Sequence, residues 1–193
     1  MTTVCAVARD GRVVMGADSA SICYSRPTLG QVKLMVLPIE DASANPDNPA
    51  VLIGMAGASA MKDLVRSELR VPPAPAPDDD PQPWAARIAQ QITALMRDHS
   101  LLNSDGGLDG NALLGWSGHV WTISTSGAVL AAEGIAAIGA GEEAAMGALY
   151  AIDTWPRLMG EGESVDNAVR SAVVIANHLN IYSAGPVLVM SIP

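Results

Sequence analysis

Thr2-Thr3-Val4-Cys5-Ala6-Val7-Ala8-Arg9-Asp10-Gly11-Arg12-Val13-Val14-Met15-Gly16-Ala17-Asp18-Ser19 is the stretch from which the fold is read. Two short apolar runs flank Asp10-Gly11, and Asp-Gly between such runs is a strong signal for a tight hairpin turn. Residues 3–8 are therefore expected to pair with 13–17. Residues 19–24 and 33–39 look like a second strand pair, with Pro27 and Gly30 marking the loop between them. After a polar loop at 41–49, residues 50–56 read as a buried strand ending in Gly54-Met55-Ala56-Gly57.

Helical spacing begins next. Ser59 is expected to be the N-cap of a helix whose apolar face is Met61, Leu64, Val65 and Leu69, stopping before Pro72. Residues 71–83, rich in Pro and Asp, read as an exposed loop. A second helix is expected over 84–98, with Trp84, Ile88, Ile92, Leu95 and Met96 as its buried stripe. Residues 112–116, 119–124 and 128–132, separated by Ser-Gly pairs, form a meander of antiparallel strands. Residues 135–138 lead into Gly139-Ala140-Gly141. Helices are expected over 142–153, ending near Pro156, and from Ser164 to about 179. Residues 186–192 are the last strand. The order is strands, two helices, strands, two helices, strand. Two stacked sheets with a helix pair over each outer face bury every apolar face in this pattern. The fold class is α+β, a four-layer αββα sandwich, with 1–193 as one domain.

The composition agrees. Hydrophobic residues make up 49% of 193, yet aromatics are 4% and Phe is absent, so the core must be built from small and branched side chains. The formal charge is −9, and Lys33 and Lys62 are the only lysines. No basic surface exists to neutralise nucleic-acid phosphates or to hold an anionic membrane. No apolar run approaches the roughly 18 residues of a membrane span. Residues 1–8 lack the basic start of a signal peptide, so a cytoplasmic protein is expected. Cys5 and Cys23 are too few for a disulfide scaffold, and His99, His119 and His178 show no metal-ligand spacing.

The second residue carries chemistry. Methionine aminopeptidase removes Met1 when the next side chain is small, which would leave Thr2 as the N-terminus. An N-terminal Thr brings its own base, because an α-amine titrates at about 7.7–8.0 and can take the hydroxyl proton directly or through water. Around it stand Thr2-Thr3-Val4, Gly16-Ala17-Asp18-Ser19, Lys33, Ala56-Gly57-Ala58-Ser59-Ala60, the run Ala137 to Gly141, and Ala176-Asn177-His178-Leu179-Asn180-Ile181-Tyr182-Ser183. In this order they resemble the threonine-peptidase branch of the N-terminal nucleophile hydrolases, the proteasome β subunits and HslV-like peptidases, over almost the whole chain.

The resemblance implies an αββα fold and a threonine endopeptidase acting on unfolded proteins. Thr2 would be the nucleophile, Lys33 the cation beside its hydroxyl, Asp18 the partner of Lys33, and the Gly57 N–H the oxyanion donor. Met55 and Ser59 would contact substrate, Met55 in an apolar pocket. Asn177, Asn180 and Ser183 would surround a Na⁺ ion through oxygen atoms; no cofactor is required for the chemistry. The implied partners are further copies in stacked rings of six or seven, and an ATP-dependent unfoldase. Three departures stand out. The Asp18–Lys33 interval is about one residue short, Ala140 stands where Ser is common, and His178 where an acid is common. An inactive ring-forming subunit of the same fold is the alternative that Ala140 favours. A small-molecule amidase is a third reading, although such enzymes more often begin with Cys or Ser behind a propeptide. With no other lysine near it in sequence, Lys33 is expected to be essential for turnover and dispensable for the fold.

Overall fold

The structure, a computed structural model, describes residues 2–23, 26–154 and 164–193. Met1, Tyr24 and Pro156, on which expectations were placed above, lie outside the described residues. β1 (Thr3–Arg9) and β2 (Arg12–Ala17) form the expected hairpin, with Val4 opposite Ala17 and Arg9 opposite Arg12. β1 also pairs with β10 (Ile135–Gly139) and β2 with β11 (Leu188–Ile192), giving a four-stranded antiparallel sheet of order β10-β1-β2-β11. The second sheet runs β5 (Leu34–Pro38), β6 (Ala50–Gly57), β7 (Gly110–Trp116), β8 (His119–Ser124) and β9 (Gly127–Leu130), again antiparallel throughout.

The helices are α1 (Ser59–Glu68), α2 (Gln82–Asp98), α3 (Glu142–Thr154) and α4 (Val165–Leu179). Three apolar layers result. Met35, Ile53, Met55, Val65, Ile88 and Ile92 fill the space under α1 and α2. Val4, Met15, Leu34, Leu52, Leu113 and Ile138 lie between the sheets. Cys5, Val14, Leu149, Val169 and Val173 lie under α3 and α4. Alternate strand residues point to opposite faces, so each sheet supplies two of these layers. This is the αββα sandwich. The sheets stack closely because small residues face one another: a Cβ on Gly54 of β6 would come within 2.6 Å of Val4 Cγ1 on β1. Burial leaves the Cys5 thiol pushed up to about 12, so it stays protonated and packs as a small apolar group.

Three expectations are corrected. The strand beginning at Leu34 does not pair with the 19–24 run. β3 (Ser21–Cys23) folds onto β4 (Arg26–Thr28), and β5 pairs with β6, with Leu34 opposite Gly54. The N-cap of α1 is Ala58, with no side-chain cap; Ser59 is the first helical residue, and its Oγ meets Gln31 Nε2 at 2.5 Å. The 71–83 segment is exposed only in part. Val71 is buried and bridges Ile39, and the Pro72 carbonyl accepts from Trp84 Nε1 at 3.1 Å. Ser164 caps α4 as expected, accepting from the Asn167 N–H at 3.3 Å. No helix among the described residues is long and apolar enough to cross a membrane.

Candidate active site

The N-terminal ends of β1 and β5 and the C-terminal end of β2 meet at Asp18. Its Oδ1 accepts from the Thr3 N–H at 2.7 Å and from Lys33 Nζ at 2.7 Å. Its Oδ2 accepts from the Ala20 N–H at 3.1 Å and the Ala184 N–H at 3.3 Å. Both charged side chains are fully buried. One carboxylate oxygen therefore joins the Lys33 ammonium to the peptide following Thr2. Desolvation pulls the Lys33 ammonium below the usual lysine range, and the bond and charge of Asp18 oppose that shift. The one-residue shorter Asp18–Lys33 interval does not prevent the pair from forming.

Thr2 is 2% exposed and lines a cleft of about 450 Å³ with Ala56, Gly57, Asp109, Asn111 and Ala140. Gly57 has φ of +127°, a conformation that glycine adopts readily and other residues rarely do. Its amide direction follows from the register. The Met55 N–H donates to the Lys33 carbonyl at 3.0 Å, and the Ala58 N–H donates to the Asp109 carbonyl at 3.2 Å. Amides alternate sides along a strand. The Gly57 N–H thus points to the β5 side of β6, as the Met55 N–H does. There β5 has not yet begun: the Gln31 N–H bonds the Ser19 carbonyl at 3.0 Å, while its side chain reaches Ser59 Oγ at 2.5 Å. A backbone donor on this edge, beside Lys33, can meet a developing oxyanion.

Asn177, Asn180 and Ser183 come together at the end of α4, already hydrogen-bonded. Ser183 Oγ donates to Asn177 Oδ1 at 2.5 Å and contacts Thr3 Oγ1 at 2.7 Å. Asn180 Oδ1 accepts from the Tyr182 N–H at 2.9 Å, and Asn180 Nδ2 donates to the Ala140 carbonyl. The side-chain oxygens of all three have protein partners, and these bonds brace β1 and the 139–141 turn against α4. The Na⁺ expectation rests on oxygen atoms of these residues, with main-chain carbonyls at the helix end as the acceptors. His178 is exposed and bonds the Val174 carbonyl through Nδ1 at 2.9 Å, within its own helix.

Two expected substrate contacts are not at the cleft. Met55 is completely buried in the layer under α1 and α2, because its position in β6 alternates away from Ala56 and toward the helices. Ser59 is exposed and meets Gln31 instead. Sequence reasoning missed Asp109, Asn111 and Lys62. The Lys62 side chain is buried and donates to the Gly57 carbonyl at 2.7 Å. One sequence signal pointed to it: the chain has only two lysines, and both are buried at this site.

No protein-family model matches the chain, and no curated protein matches it. Solved structures do. A structure of Thiobacillus denitrificans BPH superposes with a TM-score of 0.71 at 17% identity, covering 99% of this chain and 97% of that one. The same protein in complex with epoxomicin gives 0.70 at 18% identity, covering 99% and 98%. Eukaryotic HslV from Trypanosoma brucei gives 0.65 at 20% identity, covering 98% of each chain. The helical assembly of the Anbu complex from Pseudomonas aeruginosa gives 0.65 at 14% identity, covering 98% and 80%. The chain shares the fold of these solved structures, HslV among them.

Proposed function

We propose that the chain is a threonine endopeptidase subunit that uses Thr2, freed by removal of Met1, as its nucleophile. The observation that carries this reading is the shared Asp18 oxygen, which sets a buried ammonium beside the peptide of a threonine that lines a cleft. Thr2 Oγ attacks the substrate carbonyl carbon, and its proton passes to the Thr2 α-amine. The Lys33 charge lowers the cost of the alkoxide. The carbonyl oxygen takes the electron pair of the C=O bond and is met by the Gly57 N–H. Collapse breaks the C–N bond, and the α-amine returns the proton to the leaving amine. Water, deprotonated by the same amine, then attacks the ester carbon, expels Thr2 Oγ and frees the acid.

Unfolded polypeptide suits an open cleft whose walls are main chain and small side chains. Assembly of several copies is supported by the Anbu neighbour's helical assembly and by apolar side chains left in solvent, among them Leu179 at 73% and Ile181 at 88% exposure. Ring size and an ATP-dependent unfoldase remain expectations of the resemblance. The second reading, an inactive subunit of the same fold, is favoured by Ala140, which puts no hydroxyl in the cleft wall beside Thr2. Fluorogenic peptides decide between them. The purified chain is expected to cleave such peptides, and Thr2→Ala to lower turnover by about 1,000-fold or more. Turnover unaffected by Thr2→Ala would overturn the proposal, and absence of turnover would favour the inactive subunit.

A further inference from the structure

Lys62 lies in the first turn of α1 and is 3% exposed. Its Nζ donates to the Gly57 carbonyl at 2.7 Å, while the N–H of the same Gly57–Ala58 peptide donates to the Asp109 carbonyl at 3.2 Å. That peptide is therefore clamped at both ends, from α1 on one side and from the approach to β7 on the other. Clamping fixes ψ of Gly57, the residue whose preceding amide points into the gap beside Lys33. Glycine can leave its present conformation at little steric cost, so a restraint from outside has to hold it. An apolar side chain would fill the same space without the cost of burying an ammonium. The charge is felt in the site: Lys33 opposes it, and Asp63 on α1 and Asp18 at the end of β2 favour it. Burial first, and Lys33 second, pull the ammonium down to about 8. Asp109, exposed at the cleft wall, is the other charged residue beside the clamped peptide.

We infer that Lys62 is a positioning residue, which acts through the Gly57 carbonyl to hold the Gly57 N–H where a substrate oxyanion would form. This inference rests on the threonine-peptidase reading and names a residue that reading does not require. Stabilisation from an oxyanion donor is realised in the transition state, so its misplacement should appear in kcat rather than KM.

The test compares the full-length chain with Lys62→Met, which removes the donor, and Lys62→Gln, which keeps a shorter one. A fluorogenic peptide is the substrate, and rates are expressed per site titrated by a β-lactone. Lys62→Met is expected to lower kcat roughly 30-fold with KM within about 3-fold, and Lys62→Gln to fall between it and the unaltered chain. If Lys62→Met does not fold, Lys62→Gln decides alone: a loss of about 5-fold or more in kcat supports the inference. A folded variant with kcat within about 2-fold per titrated site, or a loss confined to KM, would overturn it. In that event turnover of the unaltered chain leaves the peptidase reading standing. No turnover in the unaltered chain would overturn both.

Discussion

Lys33→Ala is expected to abolish measurable turnover and also to lower stability. The first effect follows from position: the ammonium shares an Asp18 oxygen with the Thr3 N–H, one peptide from Thr2, the proposed nucleophile. Without it the Thr2 alkoxide forms with no cation beside it, and kcat should fall by about 1,000-fold or more. The second effect departs from the expectation that Lys33 is dispensable for the fold. Lys33 and Asp18 side chains are fully buried. Removing one member of a buried pair leaves the other charge uncompensated, commonly at a cost of about 3–5 kcal/mol. Asp18 retains the N–H groups of Thr3, Ala20 and Ala184, which places the cost toward the lower end of that range. Thermal melting followed by circular dichroism, run beside the peptide assay, reads both effects. A variant with wild-type turnover would remove Lys33 from the mechanism; one with wild-type melting would contradict the buried pair.

Gly57→Ala is the second large effect. A Cβ at this residue would collide with the Asp109 carbonyl and lie 2.7 Å from Gly110 Cα. Both are main-chain atoms of the approach to β7, so relief requires opening the β6–β7 edge. The φ of +127° adds strain of roughly 1–3 kcal/mol for any residue with a side chain. The amide that moves is the proposed oxyanion donor, and its loss should lower kcat by about 100-fold or more. Gly147→Ala is the control. It lies inside α3, where an added Cβ meets nothing within 4 Å, and should be neutral or stabilising by up to about 1 kcal/mol. Equal behaviour of the two variants in assay and melting would contradict the geometry assigned to Gly57.

The parts of the fold that were legible in sequence are those set by local chemistry. Asp10-Gly11 fixes the β1–β2 turn, and Ser164 caps α4. The meander was marked by its Ser-Gly turns, and the four-layer order followed from alternating blocks of period. Strand partnership was less legible where no tight turn imposed it. Leu34–Pro38 carries an apolar pattern that any neighbour could cover, and the long-range register with β6 decided its place. The site divides the same way. Thr2, Asp18, Lys33 and Gly57 sit at strand ends, where the resemblance and the physical role agree on one residue. Met55 faces the helices rather than the cleft because neighbouring residues in a strand face opposite layers, and Ser59 is the first residue of α1 because the turn into the helix begins one residue earlier than its serine suggests. Lys62 sat in a helical pattern as an ordinary polar position. The groups that give it meaning come from Gly57 on β6, Asp18 just after β2 and Lys33 just before β5.

At the centre stands Thr2, proposed to act as nucleophile once Met1 is removed. Intact mass of the purified protein, before and after treatment with an epoxyketone or β-lactone, tests it most directly. The account predicts a mass lacking Met1 and a single added inhibitor that peptide mapping places on Thr2. Retained Met1, or a processed chain that takes no adduct on Thr2, would contradict it.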